Sequence, residues 1–125
     1  MKLEIKSDKA PAAIGPYSQA IVANGTIYVS GQLPIDVNTG EFAGDTIESQ
    51  TKQSLLNVQA ILTEAGYTFD DVVKCSVFLK NIEDFAGMNG VYSEFYKQPF
   101  PARAAYAVKT LPKDALVEIE VIAVK

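Results

Sequence analysis

Residues 116–124 of the 125-residue chain read LVEIEVIAV, the most informative segment for the architecture. The β-branched and apolar residues predict a strand. A sheet with helices on one face usually alternates apolar with polar residues, so that its other face is polar. In this segment both faces are apolar except for Glu118 and Glu120. We therefore expect the second face of the sheet to meet another subunit in a closed homo-oligomer.

The preceding strands are predicted from alternation and turn signals. A hairpin joins 18–23 to 26–30 through Asn24-Gly25, because both central residues of a type I′ turn need positive φ. Further strands are predicted over 72–79 and 104–108. In the first of these, one face is expected to carry Val73, Cys75, Val77 and Leu79.

Two helices are predicted from 3.6-residue stripes. The first opens near Asp45 or Thr46, with Asp45 and Glu48 spaced like a capping box, and ends at Gly66. Its stripe comprises Ile47, Thr51, Leu55, Val58, Leu62 and Ala65. Asn81 is expected to cap the second helix, whose stripe comprises Phe85, Met88, Tyr92 and Phe95. The order of elements predicts a single α+β domain over residues 1–125, with two helices packed on one face of a mixed sheet.

Composition excludes several classes of site. The chain has 15 acidic and 11 basic residues, a formal net charge of −4, no histidine and one cysteine. Nucleic-acid binding is disfavoured because it depends on clustered Lys and Arg. Histidine triads, histidine metal sites and Cys-cluster zinc sites are excluded. No signal peptide and no run of eighteen apolar residues is present, so we expect a soluble cytoplasmic protein.

The candidate functional residues each have two interpretations. Arg103, the only arginine, follows a loop and is either an anion-binding fork or half of a surface salt bridge. Glu118 and Glu120 share one face of a strand. They are either functional carboxylates, or they line a solvated edge or form an ion pair across a subunit interface. Tyr17 enters a strand after Gly15-Pro16, where it either faces a site or packs on the core rim.

Three further positions carry weaker signals. Gly31, after Ser30 at a strand end, either exposes backbone N–H groups to an anion or forms a bend. Asn89 lies mid-helix, where its propensity is poor, which suggests a tertiary partner. Cys75 alternates with valines and is interpreted as an inert core thiol. The residues alone indicate a small-anion site at an interface and no named reaction.

Five separated segments together resemble the Rid (YjgF-like) family, and in particular its RidA subgroup of enamine/imine deaminases. They are APAAIGPYSQA at 10–20, VSGQ at 29–32, PAR at 101–103, LPKD at 111–114 and VEIE at 117–120. The resemblance implies a chorismate-mutase-like α+β fold and a homotrimer with sites between subunits. It also implies hydrolysis of 2-iminobutanoate or 2-iminopropanoate, released by pyridoxal-phosphate enzymes, to 2-oxo acids and ammonia, without a metal or organic cofactor.

The same resemblance implies roles for individual residues. Arg103 matches the carboxylate-binding arginine, Glu118 the water-handling glutamate and Tyr17 the site tyrosine of the family. Ser30, Gly31 and Asn89 match positions near the family's pocket. Ala105 stands where many RidA proteins have cysteine; its backbone N–H can still face a ligand, and we expect activity to survive.

Three other functions stay open at this point. The first is a non-catalytic trimeric sensor that binds 2-oxo or 2-imino acids through the same arginine. The second is RNA cleavage, an activity attributed to some family members, which the acidic charge balance disfavours. The third is a chaperone-like interaction protein.

Overall fold

The computed structural model describes residues 1–125 and consists of a six-stranded mixed sheet with two helices on one face. The strands are β1 (Leu3–Ile5), β2 (Ala20–Ala23), β3 (Thr26–Gln32), β4 (Ile35–Asp36), β5 (Glu41–Phe42), β6 (Val72–Leu79), β7 (Ala102–Ala107) and β8 (Val117–Val124). The helices are α1 (Ile47–Glu64) and α2 (Phe85–Phe95). The sheet order is β1-β2-β3-β8-β6-β7, while β4 and β5 form a separate small hairpin. The α+β prediction is confirmed.

Strand β8 lies at the centre of the sheet, antiparallel to both β3 and β6. Its core face is formed by Val117, Ile119, Val121 and Ala123, none more than 2% exposed. Each large side chain buried there contributes on the order of 1.5–3 kcal/mol. The opposite face carries Glu118 and Glu120, as predicted. No helix of the protein is long and apolar enough to cross a bilayer.

Local signals for turns and helix ends are confirmed. Asn24 and Gly25 have φ values of 52° and 76°, the left-handed conformation of a type I′ turn. Gly66 follows α1 with φ 82°. Its N–H donates to the Thr63 carbonyl at 3.0 Å, and the next N–H, of Tyr67, donates to the Leu62 carbonyl at 2.8 Å. This pair of hydrogen bonds is a Schellman motif, which ends the helix.

The first helix opens at Thr46, within the predicted range, but the predicted Asp45–Glu48 capping box and the predicted Asn81 cap were wrong. The Thr46 hydroxyl accepts a hydrogen bond from the Ser49 N–H at 3.1 Å and caps α1 one residue after Asp45. Glu48 lies against Gly87 of α2, where a Cβ would come within 2.7 Å of its carboxylate. Asn81 makes no side-chain capping bond, because a 3₁₀ turn over Ile82–Asp84 separates it from α2.

One predicted core residue was also wrong. Val73 was expected on the buried face of β6, but it is 47% exposed, whereas Val72 is 6% exposed. The pairing of β6 with β8 shifts register between Val72 and Lys74. A bulge of this kind reverses the side-chain alternation locally, and a single sequence does not signal it.

Candidate active site

A cleft of about 800 Å³ brings together four of the predicted site residues. Tyr17, Ser30, Gly31 and Glu118 all line it. Its walls are completed mainly by the loop before β2, the segment after β3 and the turn before β8. The cleft therefore collects residues from distant parts of the chain at one end of the sheet.

Ser30 and Gly31 lie in an irregular part of β3. The strand continues to Gln32, beyond the predicted end at Ser30, and its register with β8 shifts between Val29 and Gln32. The Ser30 hydroxyl donates to the Ser18 carbonyl at 2.6 Å, and the Ser30 N–H donates to the Gln19 carbonyl at 2.9 Å. These bonds tie the irregular segment to the chain that enters β2, so Ser30 has a clear structural role.

Gly31 leaves the space that the Glu118 side chain occupies. A Cβ at position 31 would lie 2.9 Å from Cδ and 3.2 Å from Cγ of Glu118, and closer still to one carboxylate oxygen. Real Cβ atoms do not approach so closely, so any larger residue must displace the carboxyl group. The absence of a side chain at Gly31 thus determines where Glu118 lies.

Replacing Gly31 with alanine is expected to keep the fold and, in the hydrolysis that the Rid resemblance implies, to lower turnover. The flexible end of Glu118 can move away, but displacement of a reacting group by about 1 Å costs on the order of 10²-fold in rate. Gly90→Ala is the matched control, because a Cβ at Gly90 in α2 meets nothing within 4 Å. That control should gain roughly 0.5–1 kcal/mol of stability with unchanged turnover. Equal turnover in Gly31→Ala and wild type would show that the placement of Glu118 is unimportant.

Glu118 is half-buried and forms no salt bridge. Burial raises the pKa of its carboxyl group above the ordinary value, and the negative charge of Glu120 raises this pKa further. A carboxylate in this state holds a proton more strongly than one in water. It is therefore a better proton acceptor than an ordinary surface glutamate.

Gln19, which sequence reasoning did not select, fixes the loop that carries Tyr17. It is 3% exposed, and its Oε1 accepts from the Ser7 N–H at 2.7 Å. Its Nε2 donates to the carbonyls of Ser7 at 3.1 Å and Pro11 at 2.8 Å. The only signal in the sequence is a polar residue at the start of an apolar strand. Tyr17 itself remains 54% exposed on the wall of the cleft.

Lys113 is a second residue of the cleft that sequence reasoning missed. It lies in the turn Pro112–Asp114, where Lys113 and Asp114 have φ values of 55° and 59°. Left-handed backbone at residues other than glycine costs roughly 1–2 kcal/mol each. A solvent-exposed salt bridge of 2.9 Å joins Asp114 of this turn to Lys80. Lys113 thereby adds one positive charge to a cleft that holds two carboxylates.

Arg103 lies outside this cleft. Its Nη1 donates to Oδ1 of Asn89 at 2.6 Å, which gives Asn89 the tertiary partner that its mid-helix position suggested. Its Cζ lies 4.7 Å from the ring centroid of Tyr92 and 5.3 Å from that of Phe85. Arg103 forms no salt bridge, so the alternative of a surface ion pair is wrong. The bond to Asn89 uses one of the five N–H donors of the guanidinium group and leaves the other four.

Arg103 and Glu118 lie apart within the chain. In the sheet register Arg103 lies opposite Cys75, on the face covered by the helices, while Glu118 lies opposite Phe78, on the other face. Strands β7 and β8 have β6 between them, so their backbones are about 10 Å apart. Ala105, half-buried on β7, lies on the same face of the sheet as Arg103. The structure therefore places Arg103, Asn89 and Ala105 together, but apart from the cleft that contains Glu118.

Comparison with known proteins gives the relationship of the chain. A family model described as Endoribonuclease L-PSP matches residues 7–125. A goat protein (Capra hircus) named 2-iminobutanoate/2-iminopropanoate deaminase is 50% identical over 121 residues, which are 97% of this chain and 88% of that protein. A Lactococcus lactis protein named as a regulator, AldR, is 55% identical over 114 residues, 91% of this chain and 90% of that protein.

A solved structure agrees with the fold. The crystal structure of RidA from the Antarctic bacterium Psychrobacter sp. PAMC 21119 has a TM-score of 0.94 and 44% sequence identity, covering 98% of this chain and 99% of that chain. Both the fold and the sequence match over nearly the whole length. The chain therefore belongs to the Endoribonuclease L-PSP (YjgF/Rid) family, and its relatives support the RidA subgroup.

Proposed function

We propose that the protein hydrolyses 2-imino acids such as 2-iminobutanoate and 2-iminopropanoate to 2-oxo acids and ammonia. One observation carries this proposal: the chain presents an arginine without a salt bridge and a half-buried carboxylate without a salt bridge, Arg103 and Glu118. The first suits the carboxylate of such a substrate, and the second suits the water that attacks it. The name of the goat relative supports the same reaction.

The proposal includes a homotrimer in which neighbouring protomers share each site. The sheet face opposite the helices leaves aromatic residues uncovered: Tyr28 is 50% exposed and Tyr106 is 51% exposed. Cyclic assembly through this face would bury them and could place Arg103 of one protomer at the Glu118 cleft of the next. Shared sites also account for the separation of Arg103 from Glu118 within one protomer.

Arg103 would bind the substrate carboxylate through two parallel N–H···O bonds, held by Asn89 on one side. The backbone N–H groups of Gly31 and Ala105 are further candidates for contact with this carboxylate. Hydrogen bonds to charged groups contribute roughly 1.5–3 kcal/mol each. Their main effect here is to hold the C=N carbon beside a water molecule.

Glu118 would accept a proton from this water as its oxygen bonds to the iminium carbon. The π electrons of the C=N bond move to nitrogen and give a tetrahedral carbinolamine. Protonation of that nitrogen by Glu118 makes it a leaving group. The C–N bond then breaks as the hydroxyl oxygen forms the C=O bond and gives its proton back to Glu118, so that ammonia and the 2-oxo acid are released and ammonia or solvent finally takes this proton. Tyr17 would close the cleft over the reacting centre. Water is the only co-reactant consumed.

The reaction requires only a modest rate acceleration from the protein. Free imines already hydrolyse in water, and one positioned proton relay contributes typically about 10²–10⁴-fold. A chain without histidine can therefore perform it. A reaction without metal or organic cofactor, and a cytoplasmic location, form part of the proposal.

A coupled assay tests the proposal. Threonine dehydratase generates 2-iminobutanoate, semicarbazide traps it, and the purified protein competes for it. We expect the rate of semicarbazone formation to fall in proportion to the protein added. An unchanged rate with the folded oligomer would contradict the proposed activity.

The pH dependence of kcat/KM should reveal the electrostatic interaction between Glu118 and Glu120. Glu118 must be deprotonated to accept a proton, so kcat/KM should fall as the pH drops through its pKa. Because Glu120 raises that pKa, Glu120→Gln should move the acid limb of the kcat/KM profile to lower pH. Lys113, the other charged group of the cleft, is unchanged in this variant. Glu64→Gln, which changes a carboxylate at the end of α1 outside the cleft, is the control. An acid limb at the same pH in wild type and Glu120→Gln would refute the coupling.

A sensor of 2-oxo or 2-imino acids is the second candidate, favoured by the regulator name of the Lactococcus lactis relative. Such a protein would keep its affinity for 2-oxobutanoate in Glu118→Gln and would show no turnover in either form. Calorimetric titration together with the imine assay separates the two functions. The family description also names RNA cleavage, but the two carboxylates in the cleft and the net charge of −4 repel phosphates.

A further inference from the structure

The guanidinium group of Arg103 lies over two aromatic rings, those of Phe85 and Tyr92. Phe85 begins α2 and Tyr92 lies two turns further along it, so both project from one side of the helix. Their ring centroids lie 5.3 Å and 4.7 Å from Arg103 Cζ. With the Nη1 bond to Asn89, three residues of α2 contact one arginine.

Phe85, Asn89 and Tyr92 together form what we call the clamp around Arg103. The buried groups next to this clamp carry no negative charge that would neutralise Arg103. Tyr92 packs on Tyr96 with ring centroids 4.5 Å apart, and both hydroxyls are buried without a hydrogen-bond partner. They lie next to the thiol of Cys75, which is fully buried; burial raises the pKa of this thiol to about 11. Burial also raises the pKa of the Tyr92 and Tyr96 hydroxyls, so all three groups stay neutral at physiological pH and none neutralises Arg103.

A guanidinium group that lies over ring faces keeps its N–H edges free. Ring faces attract the cation through the quadrupole of the π system but accept no conventional hydrogen bond. A carboxylate partner in the same place would occupy two donors and cancel the charge. The rings are thus a support that fixes the direction of Arg103 while leaving its donors available.

We infer that Phe85 and Tyr92 are positioning residues, whose ring faces hold Arg103 in the orientation that binds the substrate carboxylate. The inference deepens the proposed function and rests on it for the identity of the ligand. It assigns the role to the rings alone, because the Tyr92 hydroxyl has no partner.

NMR gives a test that does not depend on activity. Arg103 is the only arginine in the chain, so its Nε–Hε group gives a single, uniquely assigned signal in the oligomer. Ring currents should shift this signal away from the position of free arginine and the clamp should keep it ordered. Tyr92→Phe should preserve the shift, whereas Phe85→Leu and Tyr92→Leu should move the signal towards the free position. A wild-type signal at that position, or one unaffected by loss of either ring, overturns the inference.

Kinetics and binding supply the second readout. We expect Phe85→Leu to raise KM for the imine and Kd for 2-oxobutanoate about tenfold, with a smaller change in kcat, while Tyr92→Phe stays within about twofold of wild type. In an Arg103→Ala background, Phe85→Leu should have no further effect on Kd. An equal loss in both backgrounds would mean a purely structural role and would overturn the inference. A wild-type protein with a clamped NMR signal but no turnover and no binding of 2-oxobutanoate would instead refute the proposed function and leave the clamp standing.

Discussion

Replacing Arg103 with alanine should reduce kcat/KM for imine hydrolysis by at least about 10²-fold, through loss of the carboxylate contact and of substrate alignment. The fold should survive, because the side chain is exposed and forms no salt bridge. Only the contacts to Asn89 and the two rings are lost, and an exposed cation–π contact contributes roughly 0.5–1 kcal/mol. The coupled imine assay and thermal unfolding measure the two effects separately.

Arg103→Lys is the matched control for this variant. Lysine keeps the positive charge but has no planar fork, so it cannot form two parallel bonds to a carboxylate. Turnover should recover only in part. Full turnover in a correctly assembled Arg103→Ala protein would remove Arg103 from the site.

Replacing Glu118 with glutamine should abolish most turnover and make the protein more stable. The shape is conserved, but glutamine cannot accept the proton from water, so kcat should fall by about 10²–10⁴-fold. Stability should rise at neutral pH, because burial and the charge of Glu120 both disfavour the ionised form in the folded state. A gain in stability coupled to a loss of activity is typical of a functional residue in an unfavourable environment.

The pH dependence of this stability has a definite sign. Since the folded-state pKa of Glu118 is raised, the folded state binds the proton more tightly than the unfolded chain. The wild type therefore loses stability as the pH rises from the unfolded pKa through the folded pKa. The advantage of Glu118→Gln should be full above this window and should vanish below it. Thermal unfolding at a series of pH values checks this, and an advantage that persisted at low pH would contradict the account.

Local signals in the sequence were sufficient for much of the fold. The Asn24-Gly25 turn and the stop at Gly66 were predicted because each depends on residues adjacent in sequence. Strand β8 was predicted because β-branched and apolar residues dominate its eight positions. The position of Val73 was not predictable, since a bulge depends on the partner strand.

The chemically functional side chains of the candidate site were predictable from the sequence, but the residues that position them were not. Arg103 was conspicuous as the only arginine, and Glu118 as a carboxylate in a buried strand. Gln19 and Lys113 were missed because their importance comes from contacts with distant segments and from backbone conformation. The separation of Arg103 from Glu118 depends on strand order, which periodicity does not reveal.

A subunit-mixing experiment tests most directly whether neighbouring protomers share the site. Arg103→Ala and Glu118→Gln chains, each inactive alone, would be unfolded, mixed in equal amounts and reassembled. A site is intact when its Glu118 comes from an Arg103→Ala chain and its Arg103 comes from a Glu118→Gln chain. Each condition holds for half of the chains, so random assembly should restore about a quarter of wild-type turnover. Mixing Arg103→Ala chains with the double variant is the control and should restore none. Mixed oligomers that form but remain inactive would contradict the shared site.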